Sequence, residues 1–101
     1  MVVIVFRSRV RPENAQAYYA LADKMETLAR EMPGFISIKG FSAEDGEHVS
    51  IHEWETPEQL RAWREHPEHR QTQQLGRELF YEEYTLHVCD GPRTSCWRRG
   101  S

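Results

Sequence analysis

Histidine and tryptophan are concentrated in one stretch of the chain, HVSIHEWETPEQLRAWREHPEH, which runs from His48 to His69. It contains four of the five histidines and two of the three tryptophans. Imidazole titrates close to neutral pH, so it can accept or donate protons as a general base or acid. Indole rings supply large apolar surfaces. We therefore expect a cavity at this stretch, with titratable and aromatic rings in its wall.

The elements that position these rings are predicted to be a strand and then a helix. The strand runs from His48 to Trp54. Thr56 can cap the following helix with its hydroxyl, and Pro57 fits the first helical position. The helix extends from Thr56 to Glu65 and stops before a His-Pro break.

Periodicity predicts the other elements. Val2–Val10 is rich in β-branched residues and predicts a strand. The next segment predicts a helix that Pro33-Gly34 ends, since its apolar residues recur at three- and four-residue steps. These residues are Tyr18, Leu21, Met25, Leu28 and Met32.

A second strand, Phe35–Ala43, is joined to the His48 strand by a turn at Asp45-Gly46. Pro67 opens a further helical segment, and Tyr81–Val88 is the last strand. Strict alternation places Phe35 on one face of its strand and Ile36 and Ile38 on the other. It likewise places Tyr81 and Tyr84 on different faces of the last strand. The sequence from residue 91 to residue 101 is predicted to be an irregular tail after one domain, residues 1–90.

The resulting order, β-α-β-β-α-β, is that of an α+β, ferredoxin-like fold with a four-stranded antiparallel sheet. Helices cover one face of such a sheet. Both faces of the predicted strands carry apolar residues, and an open apolar face is unfavourable in water. We therefore expect the uncovered face to meet a second copy of the chain, which makes a homodimer.

Composition excludes several classes of function. The chain has 101 residues and a formal net charge of -3, so no basic surface for nucleic acid is expected. No apolar run approaches the length of a membrane span, and the first residues do not resemble a signal peptide. We expect a cytoplasmic protein in which Cys89 and Cys96 are reduced thiols outside any zinc motif.

The pattern after the third strand resembles that of the antibiotic biosynthesis monooxygenase (ABM) domain family. The resemblance spans about nine-tenths of the chain, and it implies a dimeric α+β barrel with a pocket between helices and sheet in each subunit. The residues that carry it are Val2–Val10, Pro33-Gly34-Phe35, Glu53-Trp54, Leu60, Ala62-Trp63, Pro67, His69, Phe80-Tyr81 and Tyr84.

The haem-degrading branch of that family is disfavoured by the residues themselves. That branch uses an Asn on the first strand, a Trp on the second helix, and a His ten positions later as the iron ligand. Trp63 matches the tryptophan, but the histidine position holds Gln73 and the first strand offers Arg7 or Ser8. An amide is a poor ligand for haem iron, although His66 or His69 could replace the missing ligand.

The cofactor-independent branch, which the resemblance also implies, oxidises phenolic rings with dioxygen and needs no metal or organic cofactor. It requires a base, an aromatic wall, and a cation or hydrogen-bond donor for developing negative charge. The candidate bases are His52, His66 and His69. The substrate-binding candidates are Trp54, Trp63, Tyr81, Tyr84, Arg7 and Arg77.

Each candidate also has a purely structural interpretation. Trp63 is spaced to pack in the core with Leu60, and His66 lies where it could interact with a helix end. Arg7 could form an ion pair with Glu53 across adjacent strands. The alternative function is accordingly a non-catalytic dimer of the same fold that binds a ligand or serves as an accessory domain.

Overall fold

Four antiparallel strands form one sheet in the computed structural model, which describes residues 1–100 of the chain. The central strands are β1 (Val2–Val10) and β3 (His48–Trp54), and the edges are β2 (Phe35–Ser42) and β4 (Tyr81–Asp90). The order across the sheet is β2-β3-β1-β4. The predicted ferredoxin-like α+β fold is confirmed.

Three α-helices connect the strands. The longest, α1 (Ala15–Arg30), follows a short 3-10 turn, and α2 (Pro57–Glu65) and α3 (Pro67–Leu75) lie between β3 and β4. A π-helical turn, Gly76–Phe80, joins α3 directly to β4. No helix within residues 1–100 has the length and apolarity required to cross a membrane.

Local capping explains where α2 and α3 begin. The backbone N–H of Gln59 donates to Thr56 Oγ1 at 3.2 Å, which confirms the predicted cap. Pro57 and Pro67 occupy first-turn positions, where a missing N–H costs nothing. His66 separates the two helices in an extended conformation, so the helical axis changes direction between them.

Two irregularities in strand pairing change the predicted faces. The register shifts between Phe35 and Ser37 in β2, so Phe35 lies opposite Trp54 while Ile38 lies opposite His52. Phe35 and Ile38 therefore share the helix-covered face, and the prediction that they lie on different faces of β2 is wrong. The cause is one extra residue in β2, which reverses the alternation beyond it.

The same correction applies to β4. Its pairing with β1 shifts between Arg9, which lies opposite Glu83, and Val10, which lies opposite Tyr81. Tyr81 and Tyr84 were predicted on opposite faces, but both rings pack against Phe6, at centroid distances of 5.5 and 5.4 Å. The extra residue brings two tyrosines to the helix side of the sheet.

The core lies between the sheet and the helices, at the end of the sheet where β1 begins. Val2 and Trp54 are fully buried there, and Ala29 of α1 is 3% exposed. The other buried members of this cluster are Ile4, Met25, Leu60 and Trp63. The helices cover the rest of the sheet less tightly, so the side chains of Tyr84, Leu86 and Val88 stay exposed.

Candidate functional site

A cavity of about 270 Å³ lies between the helix-covered face of the sheet and the three helices. Most of the wall area is apolar, although the wall also carries polar side chains, among them Glu26, Ser50, Thr72 and Gln73. Apolar side chains of the wall include Ile4, Phe6, Leu21, Met25, Ile38 and Leu60. Such a wall with a few convergent polar groups is typical of sites for small molecules.

Six of the nine predicted site residues line this cavity: His52, His69, Trp63, Tyr81, Tyr84 and Arg77. The other three, His66, Trp54 and Arg7, lie outside its lining. The cavity that the sequence predicted at the histidine- and tryptophan-rich stretch is therefore present, but that stretch supplies only part of the wall.

His52 enters the cavity from β3, where its register neighbours are Ile4 of β1 and Ile38 of β2. Burial among these apolar side chains lowers the pKa of His52 from 6.5 to about 4, with a smaller contribution from the charge of His69. The imidazole is consequently neutral at physiological pH, with one nitrogen able to accept a hydrogen bond.

His69 enters the cavity from the first turn of α3. Its ring stacks on the indole of Trp63, with centroids 4.3 Å apart and planes 11° from parallel. Its Nδ1 lies 3.2 Å from the carbonyl oxygen of Trp63. A carbonyl can only accept, so Nδ1 carries the proton and Nε2 is the nitrogen free to accept another.

Opposing effects act on the pKa of His69. Burial lowers this pKa most, and the hydrogen bond to the Trp63 carbonyl raises it, because that bond favours the protonated ring. The charges of Arg64 and His66 lower it further. The net shift is downward, so His69 is also neutral near pH 7 and can act as a proton acceptor.

His66 is occupied elsewhere. Its Nδ1 accepts a hydrogen bond from the backbone N–H of Glu68 at 3.2 Å, which caps the start of α3. A cap of this kind leaves the ring nitrogen committed to the helix, so His66 has a structural role here.

The two tryptophans of the stretch have different environments. Trp63 lines the cavity, whereas Trp54 lies behind Trp63 and is fully buried. The two indole rings are stacked, with their centroids 6.3 Å apart. Trp54 Nε1 is buried without a hydrogen-bond partner among the described residues, as is Ser8 Oγ. Trp54 is thus a core residue that supports the cavity wall.

A cluster of tyrosines lines another part of the cavity. The hydroxyl of Tyr81 donates to that of Tyr18 at 3.5 Å, and burial raises the pKa of both phenols. Both hydroxyls therefore remain protonated, and since the proton of Tyr81 is donated to Tyr18, the proton of Tyr18 is the one left for a ligand. Gly76 makes the packing possible, because a Cβ at this position would lie 2.6 Å from the Tyr81 ring.

Tyr18 is a site residue that the sequence reasoning missed. Its helical spacing with Leu21 and Met25 predicted a core position, and its ring is indeed 9% exposed. What the pattern did not indicate is that its hydroxyl meets Tyr81 at the cavity. Arg64 was also missed, although its place beside Trp63 on α2 was a possible signal.

The two predicted cations are separated by the sheet. Arg7 points to the face opposite the helices, where it forms an ion pair with Glu47 at 3.0 Å. The predicted pairing of Arg7 with Glu53 is wrong, because Arg7 lies opposite Val49 in the register and Glu53 accepts from Ser37. Arg77, on the π-helical turn, lines the cavity.

Within residues 1–100, no group of three or more histidine, cysteine, aspartate or glutamate residues is placed to hold a metal ion. Cys89 and Cys96 are both exposed and are not bonded to each other. Gln73, at the position where the haem-degrading branch has its ligand, lines the cavity with an amide side chain.

Comparisons with known proteins agree with this architecture. The family model described as antibiotic biosynthesis monooxygenase matches residues 1–75. The uncharacterized protein YqjZ of Bacillus subtilis is 32% identical over 84 residues, which are 83% of this chain and 74% of that protein.

Two solved structures have the same fold. Rv0793 from Mycobacterium tuberculosis gives a TM-score of 0.82 at 24% identity, over 94% of this chain and 98% of that one. SnoaB, a cofactor-independent oxygenase from Streptomyces nogalater, gives a TM-score of 0.76 at 18% identity, over 92% and 94% of the two chains. At these identities the likeness shows the fold alone.

Proposed function

This chain belongs to the antibiotic biosynthesis monooxygenase family, and from that premise we propose that it oxidises an electron-rich phenol or quinol-like aromatic with dioxygen, without a cofactor. The observation that carries the proposal is the pairing, in one apolar cavity, of a proton acceptor with phenolic donors. His69 is that acceptor, and the phenols are Tyr18 and Tyr81, of which Tyr18 keeps its proton for the substrate because Tyr81 donates to it. The likeness to SnoaB, itself a cofactor-independent oxygenase, supports it.

The proposed reaction balances without another reductant. A phenol with a free ring position and one dioxygen give a quinone and one water. One oxygen atom enters the ring as the new carbonyl, and the other leaves as water with the two hydrogens lost from the phenol. The phenolate supplies the electrons, so the task of the protein is to form that anion away from bulk solvent.

His69 is the proposed base. Its Nδ1–H is held by the carbonyl of Trp63, so Nε2 is the atom that receives the phenolic proton, and the imidazolium that forms is stabilised by the same carbonyl. His52, with a pKa near 4, stays neutral and serves as a hydrogen-bond partner for the substrate. These roles assign the predicted catalytic function to two of the three histidines.

The donor for the developing anion is the hydroxyl of Tyr18, which accepts from Tyr81 and keeps its own proton free, and Arg77 adds a positive charge at the cavity wall. Donors held by a protein framework stabilise charge in a poorly solvated site better than water does. Trp63 and Tyr84 provide surfaces against which an aromatic ring can pack.

The proposed unit is a homodimer that buries the sheet face opposite the helices. Phe41 and Ile51 on that face are 46% and 37% exposed, and Val5 lies beside Ile51 in the register. An apolar patch of this kind is a typical interface between subunits. A second copy of the same chain is the partner that the sequence predicted.

The experiment is oxidation of a panel of naphthols, hydroquinones and anthrone by the purified protein. Oxygen uptake is followed with an electrode, and the product is analysed after reaction with ¹⁸O-labelled dioxygen. We expect turnover above the buffer rate and one labelled oxygen atom in each quinone formed from a naphthol or from anthrone. Absence of turnover with every member of the panel would contradict the proposed reaction.

One observation favours the alternative, a cavity that binds a ligand without converting it. The pKa values of both cavity histidines are lowered, which weakens each imidazole as a base. Binding of an aromatic ligand in the cavity, measured by quenching of tryptophan fluorescence, without any oxygen uptake would support this alternative.

A further inference from the structure

A second depression adjoins the cavity. It is a groove of about 540 Å³ formed by α2, α3 and the end of β4. Leu60, Arg64 and Gln73 line both the groove and the cavity, so the two spaces meet at these side chains. A molecule whose ring occupies the cavity can therefore extend a substituent into the groove.

The groove is strongly basic. Arg61, Arg64 and Arg70 line it, and Glu65 is the only carboxylate in its lining. All three arginines are exposed, and within residues 1–100 none of them forms an ion pair. In a chain with a formal net charge of -3, this local excess of positive charge is unusual.

Four arginines elsewhere in the described chain behave differently. Arg7, Arg9, Arg11 and Arg30 each form an ion pair with a carboxylate. The groove arginines are left without such partners, although Arg61 and Arg64, three residues apart on α2, repel one another. A bound anion would remove that repulsion and supply the missing acceptors.

We propose that this arginine groove binds a carboxylate carried by the aromatic molecule whose ring occupies the cavity, so that the substrate class is an aryl carboxylic acid. This inference rests on the proposed function, since it assumes an aromatic ligand in the cavity. The planar guanidinium group presents paired N–H donors that match the two oxygens of a carboxylate. Arg64, which reaches both spaces, is placed to bind it first.

The contact between groove and cavity is also electrostatic. The positive charge of Arg64 acts on His69, where it lowers the pKa of the imidazole. A carboxylate on Arg64 offsets that charge. The groups that also act on the pKa of His69 are the Trp63 carbonyl and His66, and His52 shares the cavity with it. Binding of the anion is thereby coupled to the proposed base.

The size of the cavity determines which aromatic compounds are suitable as probes. An apolar cavity of about 150 Å³ is enough for benzene, so 270 Å³ accommodates a two-ring system. The experiment compares 2-naphthol with 6-hydroxy-2-naphthoate, which has the same rings and phenol and adds one carboxylate. Both are titrated under argon at neutral pH, with tryptophan fluorescence and calorimetry as readouts.

We expect the naphthoate to bind roughly tenfold more tightly than the naphthol, as for one charge-assisted pair at an exposed site. This advantage should shrink as salt is added. In the double variant Arg61→Gln/Arg70→Gln it should fall, while the affinity for 2-naphthol is retained. The matched control, Arg11→Gln/Arg30→Gln, also removes two charges and should keep the full advantage.

The outcomes separate the two proposals. Binding of both compounds with equal affinity would overturn the carboxylate site and leave the aromatic cavity standing. An advantage that the control variant loses as fully as the groove variant would also overturn it, since net charge alone would then explain the preference. Binding of neither compound would overturn this inference and the proposed function together.

Discussion

The imidazole of His69 lies flat against the indole of Trp63, with ring centroids 4.3 Å apart. The same two residues are joined by a hydrogen bond between Nδ1 of the imidazole and the backbone carbonyl of Trp63. Stacking fixes the plane of the ring, and the hydrogen bond fixes which nitrogen carries the proton. The one-residue break at His66 between α2 and α3 thus holds an oriented proton acceptor at the cavity wall.

Replacement of His69 is expected to remove the proposed base while preserving the fold. In His69→Gln, the amide can still donate to the Trp63 carbonyl but cannot accept a proton at neutral pH. We expect kcat for phenol oxidation to fall by about 10²- to 10⁴-fold, the range typical of general-base catalysis. Single-turnover kinetics with a substrate found in the oxidation panel would measure it.

His66→Gln is the control for that variant. His66 caps α3 outside the cavity, so its loss should lower the free energy of unfolding by about 1 kcal/mol and leave kcat unchanged. Equal kcat values for His69→Gln and the wild type would exclude His69 as the base.

His52 is expected to make stability depend on pH. Its pKa is about 4 in the folded protein against 6.5 for an unperturbed histidine, so the unfolded chain binds the proton more readily. The stabilisation is complete above pH 6.5 and is lost as the pH falls towards 4. The full loss corresponds to about 3 kcal/mol. Urea unfolding across this range would measure it.

The variant His52→Gln isolates this effect, because carboxylates and His69 titrate in both proteins. The difference in unfolding free energy between wild type and variant should change by about 2 to 3 kcal/mol over the window. A difference that stays constant with pH would show that His52 titrates normally in the folded state.

The sequence predicted the order of the elements because that order depends on periodicity and on strong local signals. The cap at Thr56 and the stop at Pro33-Gly34 are examples. The faces of β2 and β4 were less predictable, since one extra residue reverses the alternation and no residue type at Ile36 or Glu82 signals it. Because of the extra residue in β4, Tyr81 lies on the helix-covered face and lines the cavity.

The site was predictable only where the chain is locally continuous. His52 and His69 both line the cavity that was expected at this stretch, because each belongs to the sequence around Trp63. The sequence did not predict that Tyr18 is the partner of Tyr81, because Tyr18 comes from a distant helix and its spacing equally suits a core residue. Arg7 was placed wrongly beside Glu53, because the pairing of two charged residues depends on strand register.

Gly76 is expected to control the position of Tyr81. A methyl group at this residue would lie 2.6 Å from the Tyr81 ring, so Gly76→Ala must displace the ring from the hydroxyl of Tyr18. We expect a loss of about 1 to 3 kcal/mol in stability, as for overpacking, and a higher KM. Chemical denaturation and steady-state kinetics would measure the two effects.

The control is the same substitution where the ring is absent. In a Tyr81→Ala background, Gly76→Ala should stabilise the π-helical turn by about 1 kcal/mol, because alanine favours helical backbone over glycine. A loss of the same size in both backgrounds would show that the glycine is needed for a reason other than the Tyr81 ring.

Ile51 tests the proposed dimer. It lies at the middle of β3 on the face opposite the helices, between Val5 of β1 and Lys39 of β2, and it is 37% exposed. In the monomer the new carboxylate stays in water beside Lys39, whereas a second copy packed on this face would remove both charges from water, which is strongly unfavourable. Ile51→Glu should therefore shift the protein from dimer to monomer in size-exclusion chromatography with light scattering, without unfolding it.

Leu79→Glu, at a residue that is 46% exposed but lies on the π-helical turn, should stay dimeric. A wild type that is monomeric at micromolar concentration, or an Ile51→Glu variant that remains dimeric, would show that this face of the sheet is not the interface.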